Sequence, residues 1–239
     1  GKAKRLTNGE FDYGPFSWSP DCKTVFASNS GRATDADVQI RSDIIKIDVD
    51  SGEMEYLTDG DNGDFCPRLS KDGKWVYYMS FQNTRRYQQR MRLMRVPVNG
   101  GTVEDVLGDD FDLDPGVFQF DDTGEYLYFG ISYLGRESIA RLPLDGGELE
   151  YVVRDDGMVT GFHLQGNKVI YSWESPELPG EICVKTMNPR VKAGIGATIS
   201  PDDLPLVPGK VKQLTSLNKD FLKKRCLSLP KEVWIDRPD

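Results

Sequence analysis

Short segments in which apolar and polar residues alternate recur along the chain, and each leads into a Gly-containing turn. Three of them match position by position: Asp43–Gly52, Arg92–Gly101 and Ser138–Gly147. A period of two residues is typical of a strand with one buried face. Asp, Asn or Ser beside Gly supplies the backbone conformation of a hairpin turn. The pattern therefore predicts three equivalent strands, each followed by a tight turn.

Two further elements complete each copy of this repeat. Two apolar segments joined by a polar turn precede the alternating strand, and a short closing segment follows it. The closing segments are centred on Leu6, Leu57, Leu107, Val153 and Leu214. They are separated by 51, 50, 46 and 61 residues. The Gly/Pro-rich stretch Pro189–Gly209 lengthens the fourth unit and is interpreted as a loop.

A four-stranded repeat of about 40–50 residues is the signature of a propeller blade. One such sheet cannot cover both of its faces, whereas stacked sheets can. We therefore predict an all-β fold, a β-propeller segment of four four-stranded antiparallel blades whose strands are named a to d. The alternative fold is a β-sandwich. Within a propeller region of residues 1–218, we predict the outer strand of a preceding blade at 4–7 and blades at 13–59, 65–108, 116–155 and 158–216.

Aromatic residues of the predicted strands are interpreted as core between blades: Trp18, Trp75, Tyr77, Tyr126 and Tyr128. His163 is the only histidine and falls within a predicted inner strand. A partly buried structural role is its simplest interpretation.

Composition narrows the range of partners. A net charge of -8 disfavours nucleic-acid binding. No apolar run approaches the ~20 residues that span a bilayer, so we predict no membrane association. Four cysteines without a CxxC pair, together with a single histidine, argue against a zinc site and favour reduced thiols in a cytoplasmic protein. We expect no metal and no cofactor.

Two Asp-rich turns, at residues 59–64 and 109–114, raise the question of calcium, which binds oxygen ligands. Both turns lack the spacing and the terminal Glu of a recognised calcium loop. They fall at connections between predicted blades, where Asp and Gly are ordinary turn residues, and that interpretation is preferred.

The blade motif, with Trp18-Ser-Pro-Asp21 at its first turn, resembles the repeats of TolB-like propellers. It also resembles the propeller domain of the prolyl oligopeptidase family of serine peptidases. The tail, Lys212–Leu222 and Leu229–Asp236, resembles the junction between propeller and hydrolase domain in that family, and Ser172–Ile182 resembles its last blade. The likeness covers nearly the whole chain and is closest to acylaminoacyl-peptidase and dipeptidyl-peptidase-like members.

The resemblance implies a ring of more than four blades and a catalytic domain. The chain contains no Gly-x-Ser-x-Gly nucleophile motif, and His163 alone cannot complete a Ser-His-Asp triad. We therefore expect a fragment of a larger enzyme, with residues 219–239 as a linker toward an absent α/β-hydrolase domain. The expected function is the non-catalytic propeller portion of a serine peptidase that gates access of short peptides. The alternative is a TolB-like scaffold propeller that binds a protein partner.

The chain direction indicates where substrate would be met. In an antiparallel blade, strands b and d end on the same side, so the b–c loops should project toward the hydrolase domain. Two of these loops are long, Asn29–Arg41 and Phe81–Arg90. The resemblance implies that such loops help to anchor substrate termini, and Arg grips carboxylates in a bidentate manner. Arg41, Arg85 and Arg86 are the candidate substrate-binding residues; the alternative is solvated loop charge or domain-docking contacts.

An arc of four blades leaves two blade faces without a neighbour. Large exposed apolar surfaces drive association. We therefore expect a homo-oligomer through these faces, or closure into a small ring.

Overall fold

The computed structural model describes residues 3–8, 11–31, 41–82, 90–188, 201–202, 204–225, 227–228, 230–231, 233 and 235. The chain divides into two compact units, Gly1–Pro115 and Gly116–Asp239.

The first unit contains two four-stranded antiparallel sheets in which neighbours in sequence are neighbours in space. The strands of the first sheet are β1 (Tyr13–Trp18), β2 (Thr24–Asn29), β3 (Asp43–Asp48) and β4 (Met54–Tyr56). Those of the second are β5 (Gly63–Leu69), β6 (Trp75–Phe81), β7 (Met91–Pro97) and β8 (Glu104–Asp105). This simple up-and-down order is that of a propeller blade.

The core of this unit follows from the alternation in the strands. In β2, Phe26 faces the second sheet, whereas Val25 and Ala27 face the opposite side. Phe26 packs in one buried cluster with Val76 and Tyr78 of β6. Both faces of these strands therefore carry apolar side chains, because each face meets a different neighbour.

The turns between the a and b strands are closed by side chains. The Ser19 hydroxyl donates to Asp21 (2.6 Å) and accepts from the amide of Thr24 (2.9 Å). The second sheet repeats this with Ser70 and Asp72 (2.6 Å). Such Asx and Ser turns stabilise a tight reversal locally, which explains the recurrence of the motif in the sequence.

The second unit contains one continuous eight-stranded sheet. Its strands are β9 (Asp114–Phe120, which starts two residues before the unit boundary), β10 (Tyr126–Tyr133), β11 (Arg136–Pro143), β12 (Glu150–Val153), β13 (Met158–Gln165), β14 (Lys168–Ser175), β15 (Leu178–Met187) and β16 (Gly209–Gln213). A parallel bridge between Glu137 and Met158 joins two sets of four strands. One short helix, α1 (Lys219–Leu222), follows β16.

The core of the second unit lies between these two sets of strands. Tyr126, Tyr128 and Ile139 of the first set pack with Val169 and Tyr171 of the second. The side chains of all five residues are at most 7% exposed. The interpretation of Tyr126 and Tyr128 as buried core is therefore confirmed, and so is that of Tyr77 in the first unit, which is 2% exposed, whereas Trp75 is only partly buried. For Trp18 it is wrong: that side chain is 50% exposed, because no described element covers its face of β1.

A cation recurs at one position of the third strand in each set. Lys46, Arg95 and Arg141 are paired across the sheet with Glu55, Glu104 and Glu150, and each forms an ion pair with its partner. The Arg141–Glu150 pair is buried, with side chains 8% and 10% exposed. Burying a charge requires a partner, and the fourth strand supplies it.

The last set of strands replaces this ion pair. Lys185 lies opposite Val211 and its ammonium donates instead to the carbonyl oxygens of Val152 and Val207, both at 2.6 Å. Val207 belongs to the segment interpreted as a loop. Part of that segment is ordered against β12, where the amide of Tyr151 donates to Pro205 and the amide of Val207 to Tyr151, both at 2.7 Å.

Residues 3–8 carry no strand in the structure. The Lys4 ammonium donates to the carbonyl oxygens of Val49 (3.4 Å) and Asp50 (3.0 Å), and Leu6 packs against the cluster of Val25 and Ile45. That residues 4–7 form the outer strand of a preceding blade therefore stays a prediction, as do the blade boundaries.

Candidate functional site

Each sheet has one end at which its second and fourth strands finish and its first and third strands begin; we call this the b–d end. It carries the b–c loops and the connections between sheets. Of the candidate residues Arg41, Arg85 and Arg86, the first belongs to this end. Arg85 and Arg86 lie outside the described residues, so the structure places only Arg41.

Arg41 lies two residues before β3 and forms an ion pair with Asp61 of the next connection (Nη1 to Oδ1, 3.5 Å). Its side chain is 22% exposed. Its Nε is buried and has no hydrogen-bond partner among the described residues. A guanidinium carries five N–H donors, and one ion pair at 3.5 Å uses at most a few of them. Arg41 therefore keeps unused donors.

The same position of the repeat holds Arg90 in the first unit and Arg136 in the second. Arg90 forms an ion pair with Asp112. Arg136 forms one with Asp156 (Nε to Oδ1, 3.1 Å). The three arginines each stand two residues before the aligned segments of the third strands, a regularity that the sequence contains but that our prediction did not use. An Arg–Asp ion pair between the start of the third strand and the following connection therefore recurs at the b–d end.

The two Asp-rich turns lie at this end, and arginines contact both. Arg92 forms ion pairs with Asp105 (3.1 Å) and Asp109 (3.7 Å), and the carboxylate of Asp114 accepts from the amide of Met91 (2.9 Å). Among the described residues, no group of three or more His, Cys, Asp or Glu side chains is arranged to hold a metal ion. These contacts fit the interpretation as turns.

A polar network begins at Ser42, the residue after Arg41, in the first unit. The hydroxyl of Ser80 donates to Asp64 (2.5 Å), the amide of Gln82 donates to Ser80 (3.0 Å), and the hydroxyl of Ser42 donates to the backbone carbonyl of Asp64 (2.7 Å). Burial raises the pKa of Asp64, although hydrogen bonds from Ser80 and Thr58 act in the opposite direction. The network holds the starts of β3 and β5 together.

The b–d end of the second unit contains a cavity of about 660 Å³. Residues from four segments form its walls: Leu134–Arg136, Asp156–Met158, Glu174–Pro176 with Pro179, and Pro230–Lys231. Leu134 and Gly135 form the two-residue turn between β10 and β11, and both have positive φ (49° and 73°). That turn conformation matches the twist of the strands. A pocket of this size suits a small ligand.

Gly157 shapes the wall of this cavity. A Cβ at this position would lie 2.7 Å from Cε2 of Trp173 and closer still to the carbonyl oxygen of Glu174. Only glycine lets this connection approach β14 so closely. Our sequence prediction missed the cavity, since its walls come from four separate segments.

After β16 the chain turns toward α1, and the carboxylate of one residue of β15 accepts hydrogen bonds from this turn. Glu181 accepts from the hydroxyl of Thr215 and from the amides of Leu217 (3.2 Å) and Asn218 (3.1 Å). The hydrogen bond from Thr215 and those from the two amides lower the pKa of Glu181. The direction in which the chain departs toward α1 is thus set by β15.

His163 lies on β13 opposite Ile170, as the predicted inner strand requires, but its side chain is exposed, so the interpretation of this residue as partly buried is wrong. No helix within the described ranges is long and apolar enough to span a lipid bilayer.

No protein-family model matches the chain. Among curated proteins, dipeptidyl-peptidase 5 of Porphyromonas gingivalis is 23% identical over 169 residues, which is 70% of this chain and 25% of that protein. An uncharacterized protein of Agrobacterium fabrum is 40% identical over 62 residues, or 26% of this chain and 20% of that protein. The chain thus spans about a quarter or less of the length of the curated relatives it matches.

Several solved protein structures resemble this chain in fold. A puromycin-hydrolyzing peptidase of Mycobacterium tuberculosis has a TM-score of 0.63 at 12% identity, covering 82% of this chain and 31% of that one. The acylaminoacyl peptidase of Pyrococcus horikoshii has a TM-score of 0.58 at 16% identity, covering 88% and 28%. TolB of Acinetobacter baumannii has a TM-score of 0.54 at 14% identity, covering 78% and 44%.

At these identities the likeness shows the fold. The predicted all-β propeller architecture is confirmed, and so is its resemblance to the propeller domains of prolyl oligopeptidase-type peptidases and to TolB.

Proposed function

We propose that this chain is the non-catalytic propeller portion of a serine peptidase that acts on short peptides, with an α/β-hydrolase domain as its partner in the same polypeptide. The observation that carries the proposal is the match to dipeptidyl-peptidase 5 over 70% of this chain. The fold likeness to several peptidases supports it. In this role the propeller admits short peptides and excludes folded proteins by size.

The b–d ends of the sheets line the chamber in this proposal. The geometry of the chain supports it, because β16 finishes at a b–d end and Glu181 holds the departing turn. Residues 219–239 then form the linker to the hydrolase domain. The b–c loops of the same ends project into the space between the two domains.

Arg41, Arg85 and Arg86 anchor the carboxylate of the substrate in this proposal. Arg41 supports it with a guanidinium that lies at a b–d end and keeps unused donors, since its Nε has no partner in the described part of the chain. Charge-assisted, bidentate contacts to a carboxylate are the strongest that Arg makes.

The test uses the longer protein with its hydrolase domain. Arg41→Gln, Arg85→Gln and Arg86→Gln are each expected to raise KM about tenfold for a peptide with a free carboxylate, with little change for the amidated peptide. Asp61→Asn removes the partner of Arg41 but keeps the guanidinium, and Lys71→Gln alters a turn at the opposite end of its sheet; both should leave KM unchanged. A KM equal to that of the parent in all three Arg variants would exclude the anchoring role.

The alternative function is a TolB-like scaffold that binds a protein partner, which the likeness to TolB of Acinetobacter baumannii supports. The two candidates differ in what lies beyond residue 239. A Gly-x-Ser-x-Gly motif in the longer reading frame, with peptidase activity that a Ser→Ala change there abolishes, supports the peptidase. A reading frame without such a motif supports the scaffold.

We further propose a cytoplasmic location and self-association of the isolated chain. Cys22, Cys66 and Cys183 are free thiols. Exposed apolar side chains lie on β1 (Phe16, 62%) and on β14 (Ile170, 47%). Sedimentation velocity should show a dimer that Phe16→Lys or Ile170→Lys dissociates; a monomer at all concentrations would contradict the self-association.

A further inference from the structure

The cavity of the second unit has four ionisable side chains in its wall: Arg136, Asp156, Glu174 and Lys231. Two of these neutralise each other, because Arg136 and Asp156 form an ion pair (3.1 Å). The side chains of Glu174 and Lys231 make no hydrogen bond and no ion pair with any described residue. The carboxylate of Glu174 and the ammonium of Lys231 are therefore available to bind a ligand.

The rest of the wall is largely apolar. Leu134, Met158, Pro176, Pro179 and Pro230 contribute to it. Leu134 and Met158 are 44% and 42% exposed, so both offer apolar surface to a ligand in the cavity.

We infer that this cavity binds a small zwitterion, a free amino acid or a dipeptide, whose ammonium meets Glu174 and whose carboxylate meets Lys231. The apolar side chain of the ligand lies against Met158 and the prolines. A volume of about 660 Å³ is ample for two residues. The inference concerns this chain alone and stands whether or not a hydrolase domain accompanies it.

Other ligand classes fit the wall less well. A phosphate or a nucleotide would face the unpaired carboxylate of Glu174, which repels it. A purely apolar ligand would remove water from Glu174 and Lys231 and give neither a counter-charge. A zwitterion satisfies both, and its two charges fix its orientation.

Isothermal titration calorimetry of the 239-residue chain tests this, with Ala-Leu, N-acetyl-Ala-Leu, Ala-Leu amide and free leucine as probes. Ala-Leu is expected to bind about tenfold more tightly than either blocked dipeptide. Glu174→Gln should weaken Ala-Leu about tenfold but leave N-acetyl-Ala-Leu unchanged, and Lys231→Gln should weaken Ala-Leu but leave the amide unchanged. Leucine binding as tightly as Ala-Leu identifies the free amino acid as the ligand; weaker binding identifies the dipeptide.

Glu177→Gln and Lys224→Gln are matched controls, because both side chains are exposed and neither lines the cavity. Equal thermal unfolding of all variants shows that they fold alike. The inference is overturned if no probe binds, if blocked and free dipeptides bind equally, or if the controls weaken binding as much as Glu174→Gln. None of these outcomes bears on peptidase activity of the longer protein, which is tested separately.

Discussion

The ammonium of Lys185 in β15 lies 2.6 Å from the backbone carbonyl oxygen of Val207, which belongs to the segment between β15 and β16. A second carbonyl, that of Val152 in β12, lies at the same distance. One buried charge therefore ties this segment to the outer strand of the neighbouring set of strands. In the other three sets of strands a glutamate pairs with the cation of the third strand, whereas here backbone carbonyl oxygens accept from it.

Lys185→Met is therefore expected to destabilise the protein by about 1–3 kcal/mol, because buried carbonyl oxygens lose their donor. The free energy of unfolding in urea measures this. Hydrogen exchange at the amide of Val207, which donates to Tyr151, should also accelerate. Lys168→Met on the adjacent strand is the control, since that lysine is exposed and its loss should change stability by less than about 0.5 kcal/mol. Equal stabilities of the two variants would contradict the role of Lys185.

Two equivalent ion pairs should differ in their energetic weight because they differ in burial. Glu150→Ala leaves Arg141 buried and without its carboxylate, which is expected to cost about 3–5 kcal/mol. Glu104→Ala breaks the pair with Arg95, whose side chains are 30% and 43% exposed, and should cost about 1 kcal/mol or less. Urea unfolding of the two variants gives the comparison. A larger loss for Glu104→Ala than for Glu150→Ala would show that burial does not decide the effect.

The repeat and its turns could be predicted from the sequence because they depend on contacts between residues that are close along the chain. Ser19 and Asp21 close their turn with their own side chains, so the motif and the structure coincide. The exposed Trp18 shows the limit of such reasoning. An aromatic residue in an alternating strand indicates a face that something covers, but the pattern does not say what covers it.

Features that join distant segments were not predictable in the same way. The segment around Leu206 is rich in Pro and Gly and was interpreted as a loop, yet it forms a bridge with Tyr151. The cavity likewise depends on four segments meeting, and on which charges pair across it. That Asp156 pairs with Arg136 and leaves Glu174 unpaired among the described residues follows from tertiary geometry.

Gly157→Ala is expected to destabilise the second unit by about 1–3 kcal/mol, because the new methyl group overlaps the indole of Trp173. Gly161→Ala is the matched control, four residues further along the chain on β13. Its Cβ would meet only the hydroxyl of Ser172, at 4.0 Å, and its φ is not positive. Thermal unfolding of both variants is the measurement, and a Gly157→Ala protein as stable as Gly161→Ala would contradict the close packing.

The pH dependence of stability should carry opposite contributions from two aspartates. Burial raises the pKa of Asp64. Its protonated form is therefore favoured in the folded state, and its contribution to stability falls as pH rises from the unfolded pKa through the raised folded pKa. A hydrogen bond from Ser70 lowers the pKa of Asp72. Its contribution is present above the unfolded pKa and is lost as pH falls through the folded pKa.

Urea unfolding of the parent, Asp64→Asn and Asp72→Asn from strongly acidic to neutral pH separates the two contributions, because that of Asp72 changes only below the ordinary pKa of an aspartate and that of Asp64 only above it. Relative to the parent, Asp64→Asn should gain stability as pH rises, because it cannot acquire the buried charge but still accepts from Ser80. Asp72→Asn should lose stability relative to the parent over the same rise, because its amide cannot replace the ionised acceptor of the turn. Differences of the same sign for both variants, or differences independent of pH, would show that these two environments do not govern the titration.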